Sequence, residues 1–522
     1  MGQADQESKR PEMRYGFVID QNRCIGCHAC TVACKEEHQV PVGVFRTWVK
    51  HIEKGEFPDT SRHFGVMRCN HCDESPCTVI CPTSALYRRD DGIVDFDNRR
   101  CIGCKACMQA CPYDALYIDP SNNTAAKCNF CAHRVEKSLE PACVIVCPTQ
   151  AILAGDLDNP GSNVSRTVAT QKVSVRKPQK GTQPKLFYVG IEGDLLEPSR
   201  ISREDTYFAA DRRDGTGHAT ATEANNLAVA LAREVYDVPH PAPWGWKIAA
   251  YLWTKAIAAG VLLVAAILSR FADATCATLL NVICPAVALA ALSTTSALLI
   301  FDLKRPDRFF YLITKPNFRS WLVIGTYFLL GYGALGAAWL LCGLFGNTAP
   351  GILQWVAAAF GIASACYSAF LFAQAKGRDL WQSPLFLWHL LVQALVAGSA
   401  TILIVGVLMD APSGILRPAV LILLISLSVS LAMNLGEIAL PHVSEDVRIA
   451  TQVLISGSLS RRFWGLVIGT GLIAPIVLIS LVLTPVLPSA SAFAIVAAVL
   501  ALAGLWWFEE LWVKAGQFAP LS

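Results

Sequence analysis

"CIGCHACTVAC" (residues 24–34) sets four cysteines apart by two, two and three residues. The same spacing returns at 101–112 as "CIGCKACMQACP". Two looser groups accompany them: "CNHCDESPCTVICP" at 69–82, and Cys128 and Cys131 followed by Cys143 and Cys147, with Pro148 next. Three thiolates within seven residues can wrap one side of a small inorganic cube, while the turning backbone aims N–H groups at the sulfurs. The fourth cysteine then points away, toward a neighbouring site. Four such groups read as paired metal–sulfur sites, so the fold must bring distant stretches of chain together.

Two intervening residues, two more and then three is the bacterial ferredoxin spacing that holds [4Fe–4S] clusters. Structural zinc prefers paired knuckles gathered in fours and explains neither the third cysteine of the tight groups nor the recurring Cys-Pro. A disulfide framework belongs to small secreted domains, and this chain has 522 residues. Buried unligated cysteines would not repeat one arrangement four times. "GFVID" (16–20) and "GIVDFD" (92–97) read as short strands feeding the cysteine loops.

Working outward, the chain divides into two unlike halves. Residues 1–245 hold sixteen of the twenty cysteines, and residues 246–522 hold only 25 Asp, Glu, Lys and Arg. A net charge of +3 averages over this division and points to no nucleic-acid partner. Residues 1–20 contain no apolar run of signal-peptide length and no twin-arginine pair. Residues 157–200, with the strand "KLFYVG", read as a strap over the cluster domain, and 201–245 as a linker to a membrane surface. Trp244 and Trp246 suit a membrane interface or ordinary packing equally well.

Residues 14–200 resemble the four-cluster electron-transfer subunits of molybdopterin oxidoreductases, such as polysulfide, dimethyl sulfoxide and tetrathionate reductases and formate dehydrogenase. That resemblance implies four [4Fe–4S] clusters with ligands exchanged between groups. Carried over residue by residue, one takes Cys24, Cys27, Cys30 and Cys147, and its neighbour takes Cys128, Cys131, Cys143 and Cys34. An inserted pair takes Cys69, Cys72, Cys77 and Cys111, then Cys101, Cys104, Cys107 and Cys81. Relatives with a [3Fe–4S] cluster lack the second cysteine of the third group; Cys104 is present here. One departure is Lys35 after Cys34, where the other groups have proline.

Apolar stretches long enough to cross a bilayer begin near 246, 277, 320, 350, 383, 416, 462 and 488, with a turn expected at Pro485/Pro488. Soluble helices carry a polar face; "PAVALAALSTTSALLI" and "AVLILLISLSVSLA" have none. About eight spans put both ends of this half on one face. Connections on that face carry Lys304, Arg305, Arg308, Lys315, Arg319, Lys376, Arg378, Arg448, Arg461 and Arg462, with Lys514 after the last span. The other face has Arg270 and Arg417. Eleven against two places the iron–sulfur half in the cytoplasm by the positive-inside rule, on the inner (cytoplasmic) membrane.

"DLKRPDRFFYLITKPNFRSWLVIG" (302–325), "PLFLWHLLVQALVAGSA" (384–400) and "FWGLVIGTGLIAPIVLI" (463–479) resemble the NrfD-like anchors of polysulfide reductase and its relatives. Anchor and cluster subunit are separate chains in most relatives, so this chain resembles a fusion of the two. Charged groups within spans mark pathways or sites. Asp302, His389, Asn434 and Glu437 fall at the cluster-side ends of their helices and are candidates for a site handling menaquinone or ubiquinone. His442, Glu509, Glu510 and Lys255 lie at similar depth. The plainer alternatives are that Asp302 pairs with Arg305 or Arg308, that Glu509 and Glu510 are wet, and that Lys255 snorkels to the surface.

The expected fold is an α+β double ferredoxin-like iron–sulfur domain (1–200), a linker (201–245) and an all-α polytopic membrane domain (246–522). The expected function is electron transfer and membrane anchoring: a wire between the quinone pool and a molybdopterin-containing catalytic subunit. Two alternatives are a subunit of a respiratory complex like alternative complex III, with haem partners, and a transporter with a ferredoxin-like regulatory domain.

Overall fold

The computed structural model describes residues 13–56, 58–202, 232–440, 444–483 and 490–522. His442, the Pro485/Pro488 turn and most of the expected linker lie outside these described residues.

In the first half the strands are short: β1 (Tyr15–Asp20), β2 (Thr47–Lys54), β3 (Ser61–Arg68), β4 (Leu86–Arg88), β5 (Val94–Phe96) and β6 (Leu116–Asp119). There follow β7 (Thr124–Lys127), β8 (Ile152–Asp156), β9 (Val173–Ser174), β10 (Leu186–Val189), β11 (Ile201–Ser202) and β12 (Ala232–Tyr236). One sheet runs β8-β1-β10-β9, with β1 antiparallel to β8 and parallel to β10. β1 is its centre because Phe17, Val18 and Ile19 are buried on both faces, so a continuous apolar run serves where an alternating one would not. The β4–β5 and β6–β7 hairpins belong to the inserted cysteine groups.

The expected strap is an integral strand, since β10 pairs with β1 along Phe17–Asp20. The expected linker likewise carries β12, which pairs with β2 in the sheet β11-β12-β2-β3. Burial of Lys50 explains this return: its ammonium lies 2.7 Å from Glu234 and 3.1 Å from Asp237, both contributed by this segment. A fully buried lysine needs carboxylates, and the nearest ones come from beyond the cluster domain's expected end.

Among the described residues eight helices are long and apolar enough to span a membrane: Trp246–Leu268, Leu279–Asp302, Trp321–Leu344, Gly351–Ala373, Phe386–Leu408, Ser413–Ala439, Ser460–Val482 and Ser491–Gly516. The first is the most buried and packs on the second, fourth, fifth and eighth. Gly260 and Gly398 let the first and fifth spans touch backbone to backbone; a Cβ on Gly260 would stand 1.8 Å from the Ala394 carbonyl oxygen. Small residues that allow such approach are the usual means of helix association in lipid. After the eighth span the chain returns along the cluster domain. There Arg176 donates to the Leu521 carbonyl (2.8 Å) and Lys50 to that of Ser522 (3.0 Å).

Candidate functional site

The first Cys-x-x-Cys of each group turns on a left-handed residue just before its second cysteine: Gly26 (φ 69°), His71 (44°), Gly103 (69°) and Phe130 (62°). This turn folds backbone N–H groups back toward sulfur. Gly103 N donates to Cys101 Sγ (3.4 Å) and His71 N to Cys69 Sγ (3.5 Å). Ala125 N also reaches Cys101 Sγ (3.3 Å), and Ala151 N reaches Cys147 Sγ (3.2 Å).

None of the sixteen is joined in a disulfide, and they gather in four sets. Cys24 neighbours Cys27 and Cys147, and Cys30 neighbours Cys24 and Cys147. Cys34 faces Cys128, Cys131 and Cys143. Cys77 faces Cys69, Cys72 and Cys111, and Cys107 faces Cys81, Cys101 and Cys104. The sets also follow one another in space, because Cys30 neighbours Cys143, Cys128 neighbours Cys69, and Cys107 neighbours Cys77. Small cavities lie inside the first and last sets, lined by Cys24, Cys27, Cys30 and Cys147 and by Cys81, Cys101, Cys104 and Cys107. Four thiols standing around one cavity suit a polynuclear cluster.

The last set lies against the membrane half. Lys304 N and Arg305 N donate to the carbonyls of Gly103 and Ile102 (3.2 Å each), joining "FDLKRPDRFF" to the loop of Cys101 and Cys104. Arg308 donates to the carbonyls of Asn98 (2.6 Å) and Cys101 (3.0 Å). Asn317 reaches that of Cys81 (2.7 Å), and Trp244 that of Cys104 (3.4 Å). Trp244 is buried in this joint, whereas Trp246 is exposed. Asp302 pairs with Lys105 at 2.9 Å, across the joint rather than within its own loop.

A second row of charges closes the joint farther round. Lys177 pairs with Asp446 at 3.7 Å and Lys180 pairs with Asp379; burial lowers both lysines to about 8. Burial also lowers Arg378 to about 10. His240 lies 2.6 Å from Asp114 and 3.5 Å from Asp237. Its burial disfavours the imidazolium, but the two carboxylates prevail and raise its pKa to about 9.

Within the membrane half, His389 Nε2 lies 3.2 Å from Glu437 Oε2, and Ser383 donates to the other Glu437 oxygen at 2.8 Å. The imidazole stacks on Phe508 (5.7 Å between centroids). Asn434 lines a small adjacent cavity with Gln393, Ser430 and Phe508. Gln393 Oε1 is buried without a hydrogen-bond partner; four residues after His389, it lies on the same helix face and was legible there. Asp302 is not part of this group. Lys255 does not snorkel: it is 1% exposed, and its ammonium donates to the Ala365 carbonyl (3.0 Å) and to Ser368. Nor is Glu509 wet, being 0% exposed with both oxygens unpartnered. Glu510 pairs with Lys514.

Thiol sets lined up in a ferredoxin-like domain, docked through backbone bonds onto eight apolar helices, define an iron–sulfur electron-transfer protein with its own membrane anchor. Residues 234–519 match the family "Polysulphide reductase, NrfD", and the protein belongs to that family. Residues 61–157 match a 4Fe-4S dicluster domain, and 15–36 a 4Fe-4S binding domain. The iron–sulfur part is 43% identical over 192 residues to a tetrathionate reductase subunit of Salmonella typhimurium, covering 36% of this chain and 77% of that protein. It is 42% identical over 181 residues to a polysulfide reductase chain of Wolinella succinogenes, covering 34% and 94%. It is 43% identical over 180 residues to protein NrfC of Escherichia coli, covering 34% and 81%. These relatives align with the first half alone, so this chain unites a cluster subunit and a membrane anchor.

Proposed function

We propose that the chain carries electrons between the quinone pool and a molybdopterin-containing catalytic subunit of a reductase complex acting on a sulfur compound or a related respiratory substrate. The observation that carries this reading is the backbone joint between the Cys101–Cys104 loop and the loop after the second span. It joins one end of the thiol series to the membrane-spanning half of the chain. The sixteen cysteines, in the four sets described, would hold four [4Fe–4S] clusters, which supply one-electron relay when bound.

At the membrane end, Asn434 and Gln393 are suited to hydrogen-bond a quinone head group in the adjacent cavity. The His389–Glu437 pair suits proton exchange at Nε2 and Oε2, since two-electron quinone chemistry also moves two protons. Asp302 serves docking through Lys105 in this reading. At the other end Cys27 is exposed, flanked by the exposed apolar Ile25, and Ile145 and Val146 precede Cys147. That end suits the catalytic partner. The basic connections at 304–319 and 376–378 touch the cluster domain, which supports a cytoplasmic orientation by the charge bias.

Purification in detergent tests the proposal. About sixteen iron atoms per chain and a molybdenum-bearing large subunit are expected, with cluster reduction by added quinol that Glu437→Gln slows. Haem-bearing partners without molybdenum would favour the alternative-complex reading, and absence of iron would sink both. Protease accessibility in oriented vesicles checks the side.

A further inference from the structure

Other buried cations in the cluster domain have an oxygen partner: Lys50 meets Glu234 and Asp237, Lys185 meets Asp73 at 3.0 Å, and Lys127 and Arg176 donate to the carbonyls of Cys128 and Leu521. Among the described residues Arg68, at the end of β3, has neither a carboxylate nor a carbonyl. It is 1% exposed, yet among the described residues no carboxylate lies within 4.0 Å of it. Nη1 donates to Cys143 Sγ at 3.1 Å, the guanidinium lies 4.6 Å from the centre of the Phe17 ring, and Nε and Nη2 have no partner. Its ionisable neighbours are Cys143, Cys128 and Cys30, thiols from the first two sets. An isolated buried charge is heavily penalised, so the fold must supply an anion there. Two thiolate-bound clusters on either side would do so.

We infer that Arg68 is a fixed positive charge placed between the two clusters farthest from the membrane, and that it raises their reduction potentials. The inference rests on the ligand sets proposed above. A guanidinium stays protonated in proteins, so its charge is the same before and after electron arrival. One-electron reduction adds one negative charge to a cluster, and a neighbouring cation stabilises that form without taking up a proton. Charge and hydrogen bonds to sulfur are among the factors that set such potentials. Because Nη1 bonds Cys143, the cluster of Cys34, Cys128, Cys131 and Cys143 should respond most. The cluster reached through Cys30 should respond less, and the two nearest the membrane scarcely at all.

The test is redox titration of the purified full chain, followed by electron paramagnetic resonance, with iron content measured in parallel. Arg68→Gln removes the charge and keeps a donor. It should lower the reduction equilibrium of the most affected cluster at least tenfold, about 59 mV for one electron, and leave the membrane-side pair in place. Arg68→Lys keeps the charge but loses the planar fork and should lower it two- to threefold, which preserves the test should the glutamine variant fail to assemble. Full iron content with unmoved midpoints, or an equal shift of all four, overturns the inference alone. If Cys143→Ser leaves intact the signal that Arg68→Gln moves, the ligand sets are wrong and the inference falls with them.

Discussion

The two ends of the thiol series are built differently. Around Cys81, Cys101, Cys104 and Cys107 the chain closes on itself: the loop after the second span bonds the cysteine loop through backbone groups, and Asp302 pairs with Lys105. Around Cys24, Cys27, Cys30 and Cys147 the surface stays open, with Ile25 and Ile145 each 57% exposed. The two loops share sequence, spacing and left-handed turns. Their difference therefore comes from what lies outside them. A covalently attached anchor satisfies one end; the other keeps an apolar surface of the kind a partner covers.

Matched substitutions at the two ends can break this contrast. The largest effects should follow loss of a thiol. Cys107→Ser and Cys27→Ser should each remove about a quarter of the iron if four clusters are present. Only Cys107→Ser should increase hydrogen exchange across 302–320, and equal exchange in both variants would show that the joint does not depend on its cluster set.

Next is the ion pair. Lys105→Met strands a nearly buried Asp302, and breaking such a pair costs about 3–5 kcal/mol. The double variant Lys105→Met/Asp302→Asn should recover most of that in thermal unfolding. Additive losses would mean that the two residues do not act together.

Smaller is the turn strain. Gly103 and Gly26 share φ 69°, where a side chain costs about 1–3 kcal/mol. Gly103→Val also meets Lys304, its Cβ falling 2.6 Å from that residue's Cβ, whereas Gly26→Val meets Phe64 inside the cluster domain. Limited proteolysis between the halves should accelerate for the first and not for the second.

The mildest effect concerns pH. His240 joins Asp114 to the segment bearing Asp237, and its folded pKa of about 9 exceeds the ordinary value near 6.5. Its contribution is thus fully present below about pH 6.5 and is lost as pH rises through about 9. The melting temperature of the wild type should decline across that interval, and His240→Gln should flatten the decline.

Much of this organisation was legible in the residues. Cysteine spacing announced the cluster loops because ligation demands fixed local geometry. Eight apolar runs announced the spans because lipid tolerates no polar face. The linker misled because β12 is five residues long and β11 two, too short to carry a pattern, and their pairing is made by Lys50 some 180 residues away. The wet alternative for Glu509 arose because it stands beside Glu510 near the end of a span. Helix rotation separates them, turning Glu509 inward and leaving Glu510 to Lys514.

By itself, the sequence determined the chemistry of each half and which face of the membrane domain carries the positive charge. These are local properties of spacing, apolar length and charge count. Tertiary structure alone decided which thiol set lies on the membrane, that Asp302 answers Lys105, that His389 meets Glu437, and that Arg68 stands without a carboxylate between two thiol sets. Each of these joins residues from 48 to nearly 200 positions apart. Such pairings depend on how buried surfaces pack, which no local pattern encodes.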